Sequence, residues 1–155
     1  MAAAERRGPS PLRLKTMKQA QGSLTFKTDG QGLSEITADV AHWIGEQGIA
    51  SGLLCVYIRH TSASLMIQEN ADARVMRDLE AFFRTLVPEG HGLYSHSSEG
   101  LDDMPAHIKG ALTQTSLTIP VSQGRMTLGT WQGIFLFEHR TRPRQRDITL
   151  HLSGE

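Results

Sequence analysis

Four segments rich in apolar and β-branched residues close the chain: "SLTIPVS" from Ser116, "RMTLG" from Arg125, "GIFLFEHR" from Gly133 and "RDITLHL" from Arg146. The gaps between them cannot hold a crossover connection of about a dozen residues, so these strands must pair antiparallel. Upstream, strand and helix patterns mix. "GSLTFKT" (Gly22–Thr28) alternates as a strand, and "TDGQG" supplies a turn. Thr37 is a candidate N-cap for a helix carrying Val40 and Ile44 to Gly48, with Asp39 in its first turn. "SGLLCVYIRH" is continuously apolar and reads as a buried strand, followed by "ASLMIQE". Asn70 can cap the next helix, in which Val75, Leu79, Phe82 and Leu86 form a stripe expected in the core. Pro88 ends it, a Gly/Ser-rich loop follows, and a third helix runs from the "DDMPAHIKG" stretch to about Gln114. This order predicts an α+β fold with a mainly antiparallel sheet system and excludes a doubly wound parallel one.

With 155 residues, one domain is expected over 17–155. Residues 1–16 are basic, carry Pro9 and Pro11, and are expected to be a flexible extension. Acidic and basic residues balance at 16 each, so charge offers no argument for nucleic acid or a membrane as partner. Arg140, Arg142, Arg144 and Arg146 do cluster, which reads as a solvated loop with phosphate binding as the alternative. Cys55 is the single cysteine, so an intrachain disulfide is excluded. It is expected to be a buried structural thiol in a reducing, cytoplasmic setting.

One cysteine cannot build a zinc finger. No nucleophile elbow, Walker loop or dinucleotide fingerprint occurs. Histidine is what remains. His60 opens "HTSAS" after a strand, His96 lies in the Gly/Ser loop, His107 lies on the third helix and His139 follows Glu138 on a late strand. Element ends and loops can converge without disturbing a core, and three neutral imidazoles make a divalent-metal site with an open position. Asp103 precedes His107 by one helical turn and shares its face, where it can orient the imidazole or bind metal beside it. Equally, Asp102 or Asp103 can cap the helix, with Pro105 tolerated in its first turn. Glu69 with His60 forms an acid/base pair if the two meet in space. Ser62 is a candidate phosphate contact. In "GRMTLGTWQGIF", Gly129, Thr130, Trp131 and Gln132 suit a pocket wall, or a hairpin around a buried Trp.

The ordered motifs "HTSASL", "ENAD", "RDLEAFF", "VPE", "DDMPAHIK", "SLTIPV", "GRMTLGTWQGIF", "EHR" and the final "GE" resemble the YjbQ family from about Met17 to Glu155. The resemblance implies two packed sheets with flanking helices, assembled as a homotrimer. It implies His60, His96 and His107 at matching positions near a subunit boundary, as a metal site, with Glu69, Asn70 and Asp103 matching too. The implied activity is thiamine-phosphate synthesis: a pyrimidine methyl diphosphate joins a thiazole phosphate and pyrophosphate leaves. Catalytic roles are then expected for His60, Glu69 and Asp103. Substrate contacts are expected from Ser62, Asn70, Gly129, Thr130, Trp131 and Gln132. The cofactor would be a divalent metal (zinc, manganese or magnesium). A metal-dependent hydrolase or lyase on another small phosphorylated substrate, or a non-enzymatic trimeric ligand-binding protein, remains as an alternative.

Overall fold

The computed structural model describes residues 16–155. The extension expected over 1–16 lies, except for Thr16, outside the described residues. Eight strands and three helices follow in the order β1 (Lys18–Thr28), β2 (Gly32–Glu35), α1 (Thr37–Gly45), β3 (Ser51–Ile58), β4 (Ala63–Glu69), α2 (Ala73–Leu86), α3 (Asp103–Leu112), β5 (Ser116–Ser122), β6 (Arg125–Met126), β7 (Gln132–Glu138) and β8 (Arg144–Gly154).

The strands form a five-stranded sheet, β1-β8-β3-β5-β6, and a three-stranded sheet, β2-β7-β4. Every pairing within them is antiparallel. The closing run of strands thus behaves as its short connections require, but it divides between the two sheets. β5, β6 and β8 join the larger one, and β7 becomes the centre of the smaller. One apolar cluster lies between them. Leu54, Val56 and Ile58 of β3 and Ile148, Leu150 and Leu152 of β8 meet Leu65 of β4 and Ile134 and Leu136 of β7. Ile36, Val40 and Ile44, from the start and length of α1, close one side.

Period-two alternation decides burial more strictly than the sequence reading of β3 allowed. "GLLCVYI" was expected to be buried on both faces, yet Leu53 and Tyr57 are each 48% exposed and Cys55 is half-buried on that same outer face. A second correction concerns α2. Its stripe was expected in the core, but no residue of α2 is buried, and Phe82 and Leu86 are 58% and 52% exposed. Phe83, one position off that stripe, turns inward and packs edge-on against Phe137, with ring centroids 5.4 Å apart. Asp72, not Asn70, caps this helix, its carboxylate accepting from the Arg74 N–H at 2.9 Å.

Candidate metal centre and its neighbouring cleft

α3 starts at Asp103 and packs against the start of β4 and the loop before it. Gly110 is what lets the two approach. A Cβ there would lie 2.9 Å from the Thr61 carbonyl oxygen. That carbonyl accepts a hydrogen bond from His107 Nδ1 at 3.2 Å. With the proton on Nδ1, the lone pair of His107 is on Nε2, 3.6 Å from Asp103 Oδ1. From the loop between α2 and α3, His96 brings its Nε2 to 2.9 Å from Asp103 Oδ2, and its ring lies 5.5 Å from that of His107.

Asp103 is 1% exposed, and its Oδ2 is sealed from solvent with no hydrogen bond reaching it at a suitable angle. That buried oxygen faces His96 Nε2 at ion-pair distance, and leaving it without such a partner would cost about 1–3 kcal/mol. With the imidazole nitrogens of His96 and His107 beside it, the carboxylate makes a donor set that could hold a divalent cation. One donor atom from each of His96, Asp103 and His107 lies within 4.8 Å of the others.

Arg140, just beyond β7, holds the carboxylate side of this centre. Its Nη1 donates to Asp103 Oδ1, its Nε donates to Asp102 Oδ2 at 3.0 Å, and its Nη2 donates to the Glu99 carbonyl at 2.8 Å. Asp102 Oδ2 also accepts from the Thr141 N–H at 2.8 Å and the Thr141 hydroxyl at 3.0 Å. Burial by itself would push the Asp102 carboxyl up, but these hydrogen bonds and the guanidinium outweigh it and hold the group below the usual carboxylate range. Asp102 therefore makes no side-chain cap to α3; its carboxylate is committed to Arg140 and Thr141.

The arginine run was expected to be a solvated loop. Arg140 and Arg146 are instead buried, while Arg142 and Arg144 are exposed. Arg146 spans Glu138, donating from Nε to Oε2 at 2.6 Å and from Nη2 to Oε1 at 2.5 Å. The Thr28 hydroxyl and Arg140 N–H complete the Glu138 shell at 2.8 and 2.9 Å. Burial would raise the Glu138 carboxyl, but Arg146 and the other donors hold it down. Arg146 Nη2 also donates to the Ser62 carbonyl at 3.2 Å and Ser62 Oγ at 3.0 Å, tying "HTSAS" to β8. Ser62 is thus anchored in a structural network. His139 is 1% exposed and shares a hydrogen bond of 2.9 Å between its Nε2 and Ser64 Oγ. Burial lowers its pKa to about 3, with the Lys109 charge adding to the effect, so it is a neutral core residue.

Of the expected metal ligands, His96 and His107 come together and His60 does not join them. Its Nε2 accepts the Asp147 N–H of β8 at 2.8 Å, so that nitrogen's lone pair is already used. Asp103 takes the third place. The expected Glu69–His60 pair does not form within the chain. β4 separates them, and its six steps from Ala63 to Glu69 span about 20 Å. Asn70 and the Gly129–Gln132 turn lie at that far end. The Asn70 N–H donates to the Trp131 carbonyl at 3.0 Å, and Asn70 Nδ2 donates to Glu35 Oε1 at 3.1 Å. Gln132 Oε1 accepts from the Gly129 N–H at 2.8 Å and closes the turn, while Trp131 is 63% exposed and walls no pocket at the histidine end. The sequence reading gave Asp102 only a capping role and Arg140 only a place in the arginine run, and missed that they pair. Their signal was the spacing of Arg140, Arg142, Arg144 and Arg146, in which only the first and last meet carboxylates.

Beside the centre, His60, Thr61, Ala63, His107, Gly110, Ala111 and Thr115 enclose an open cleft of about 350 Å³, with a mostly apolar wall. No helix of the described residues is long and apolar enough to cross a membrane.

The sequence model of the family described as "UPF0047 protein YjbQ-like" matches residues 22–155. A UPF0047 protein of Synechocystis sp. is 53% identical over 140 residues, covering 90% of this chain and 95% of that one. The UPF0047 protein YjbQ of Escherichia coli O157:H7 is 43% identical over 136 residues, covering 87% and 98%. Among solved structures, a YbjQ-like protein of unknown function from Sulfolobus solfataricus P2 superposes with a TM-score of 0.83 at 25% identity, covering 90% of this chain and all of that one. A hypothetical protein from Aeropyrum pernix K1 gives 0.80 at 35% identity, covering 88% and 99%. Its motifs, its two antiparallel sheets and these matches agree: the chain belongs to the UPF0047 YjbQ-like family.

Proposed function

We propose that the chain is a divalent-metal-dependent enzyme acting on a small phosphorylated molecule, with thiamine-phosphate synthesis as its specific reaction. The observation that carries the metal is Asp103, a buried carboxylate whose two oxygens each face an imidazole, His96 Nε2 at 2.9 Å from Oδ2 and His107 Nε2 at 3.6 Å from Oδ1. Asp102 and Asp103 share Arg140, and a cation beside Asp103 would add to that compensation. Two imidazoles and one carboxylate suit zinc or manganese better than magnesium, which prefers an all-oxygen shell. Three protein ligands leave positions for substrate oxygen.

In the proposed reaction the bond between the pyrimidine methylene carbon and the diphosphate oxygen breaks, and pyrophosphate leaves with the electron pair. The thiazole ring nitrogen then forms the new carbon–nitrogen bond. A bound metal would neutralise charge growing on the leaving diphosphate. The chain's own residues prepare for that. Arg140 fixes the Asp103 carboxylate, the Thr61 carbonyl fixes the tautomer and tilt of His107, and the mostly apolar wall of the cleft offers packing for the substrate's ring. The homotrimer belongs to the same reading and is supported by Leu53 and Tyr57, exposed on the outer face of the central strand of the larger sheet.

The test combines the purified full chain, both phosphorylated precursors and zinc, manganese or magnesium in turn. Expected are one metal per chain by elemental analysis and metal-dependent thiamine phosphate, with both lost in His96→Ala, Asp103→Asn and His107→Ala. A wild-type chain that makes no product, or a His107→Ala variant that makes as much, rejects the synthase reading. Metal binding without turnover of any phosphorylated ligand would leave the non-enzymatic binding protein in its place.

A further inference from the structure

His60 is set for a different task from the one its position in the sequence suggests. The Asp147 backbone N–H donates to its Nε2 at 2.8 Å. An amide N–H can donate only to a nitrogen that carries a lone pair, so the ring proton resides on Nδ1. Adding a proton at Nε2 would set two N–H groups against each other and break the join between this residue and β8. Burial and the nearby Arg146 charge also lower the His60 pKa, in agreement with a neutral ring. The Nδ1–H has no partner among the described residues, and it is not among the polar atoms sealed from solvent. His60 therefore offers one fixed, uncharged hydrogen-bond donor.

That residue forms part of the wall of the cleft of about 350 Å³ next to the His96–Asp103–His107 centre. The remaining wall is Thr61, Ala63, Gly110, Ala111, Thr115 and the His107 ring, with no carboxylate, lysine or arginine among them. A charged group placed there would lose hydration without gaining a counter-charge. A flat apolar ring would lose little, and a single acceptor on that ring would be able to pair with the His60 Nδ1–H.

We propose that this cleft is a binding subsite for an uncharged planar ring carrying one hydrogen-bond acceptor, a ring nitrogen or carbonyl, which His60 Nδ1–H anchors. The subsite orients the apolar end of a ligand, while its charged end lies toward the neighbouring centre. In this respect the proposal rests on the preceding reading, but occupancy of the cleft itself needs no metal. His60 is a specificity-determining donor, neither a metal ligand nor a proton carrier.

The experiment uses the full chain, with the probes pyridine and benzene at pH 8, followed by nitrogen-15 and methyl spectra of the His60 and His107 rings and of Ala63 and Ala111. Each titration is run with and without EDTA. Long-range nitrogen spectra should show His60 protonated at Nδ1 and bare at Nε2. Both probes should shift Ala63 and Ala111, pyridine should also shift His60 Nδ1–H, and pyridine should bind about tenfold tighter, the worth of one net hydrogen bond. His60→Phe should equalise the two probes, and Ala111→Leu, which keeps His60 and narrows the cleft, should weaken both. EDTA should change none of this. If the metal reading fails while pyridine still prefers the wild-type cleft, the subsite stands. A His60 proton on Nε2, equal affinity for both probes in the wild type, or shifts that map away from the cleft each overturn it.

Discussion

Arg140 shows how much one side chain can decide. It is buried, and it serves both Asp102 and Asp103. Arg140→Met would leave two buried carboxylates without their cation, a loss of about 3–5 kcal/mol. Urea denaturation at pH 7.5 should show a lowered midpoint, with Arg140→Lys intermediate because an ammonium cannot reproduce the fork. His139 gives a second residue-scale prediction. Its folded pKa of about 3 lies below the unfolded value, so between the two the unfolded chain holds the extra proton. Its contribution to stability is complete above about pH 7 and is lost as pH falls toward 3, with a slope approaching 1.4 kcal/mol per pH unit at about pH 4–6. The depressed carboxyls of Asp102 and Glu138 act in the same direction, mostly below about pH 4. Urea midpoints from pH 8 to 4 should therefore fall for the wild type. They should fall clearly less between pH 7 and 5 for His139→Leu, whatever its stability at pH 8.

Helix α3 and the "HTSAS" loop work as one unit because Gly110 has no side chain. Gly110→Ala would bring a Cβ to 2.9 Å from the Thr61 carbonyl oxygen, a backbone atom that must then move. That oxygen is the partner of His107 Nδ1, so the cost reaches the candidate centre. The expected outcome is about 1–3 kcal/mol of lost stability from overpacking. Zinc affinity by calorimetry should fall about tenfold or more, as when a metal ligand's supporting partner is removed. Unchanged zinc affinity would mean that the Thr61 contact does not orient the ligand. Element existence was largely legible in the sequence. The closing strands and α3 follow from periodicity and turn residues. β2 was missed because four residues, "GLSE", carry too little pattern to announce a strand, and its existence depends on pairing with β7.

At the scale of the whole molecule, the described residues leave apolar side chains exposed on both a sheet and a helix. Leu53 and Tyr57 lie on the outer face of β3, and Phe82 and Leu86 lie on α2. The proposed trimer would cover the β3 pair. Sedimentation at micromolar concentration is expected to give three times the chain mass of 17.1 kDa. Leu53→Lys combined with Tyr57→Lys should shift it to the monomer while the far-ultraviolet spectrum is unchanged. A monomeric wild type would overturn the trimer.

Sequence alone determined the fold class, because short connections permit only antiparallel pairing and because helix and strand periods are local properties. Helical spacing also put Asp103 and His107 on one face a turn apart, while the ligand set His60, His96 and His107 came from the family resemblance. Tertiary structure decided the rest. It gave His60 Nε2 to a β8 amide and left His60 outside the His96–Asp103–His107 group of the single chain, and it put Glu69 and Asn70 at the opposite end of β4, about 20 Å along the strand. It turned Arg140 and Arg146 from a solvated run into buried partners of carboxylates, and it left the α2 stripe outside the core. Each of these depends on which residues distant in the chain come to share a space. Spacing along the chain states which groups can face one another within an element, whereas convergence between elements is set by how the sheets and helices pack.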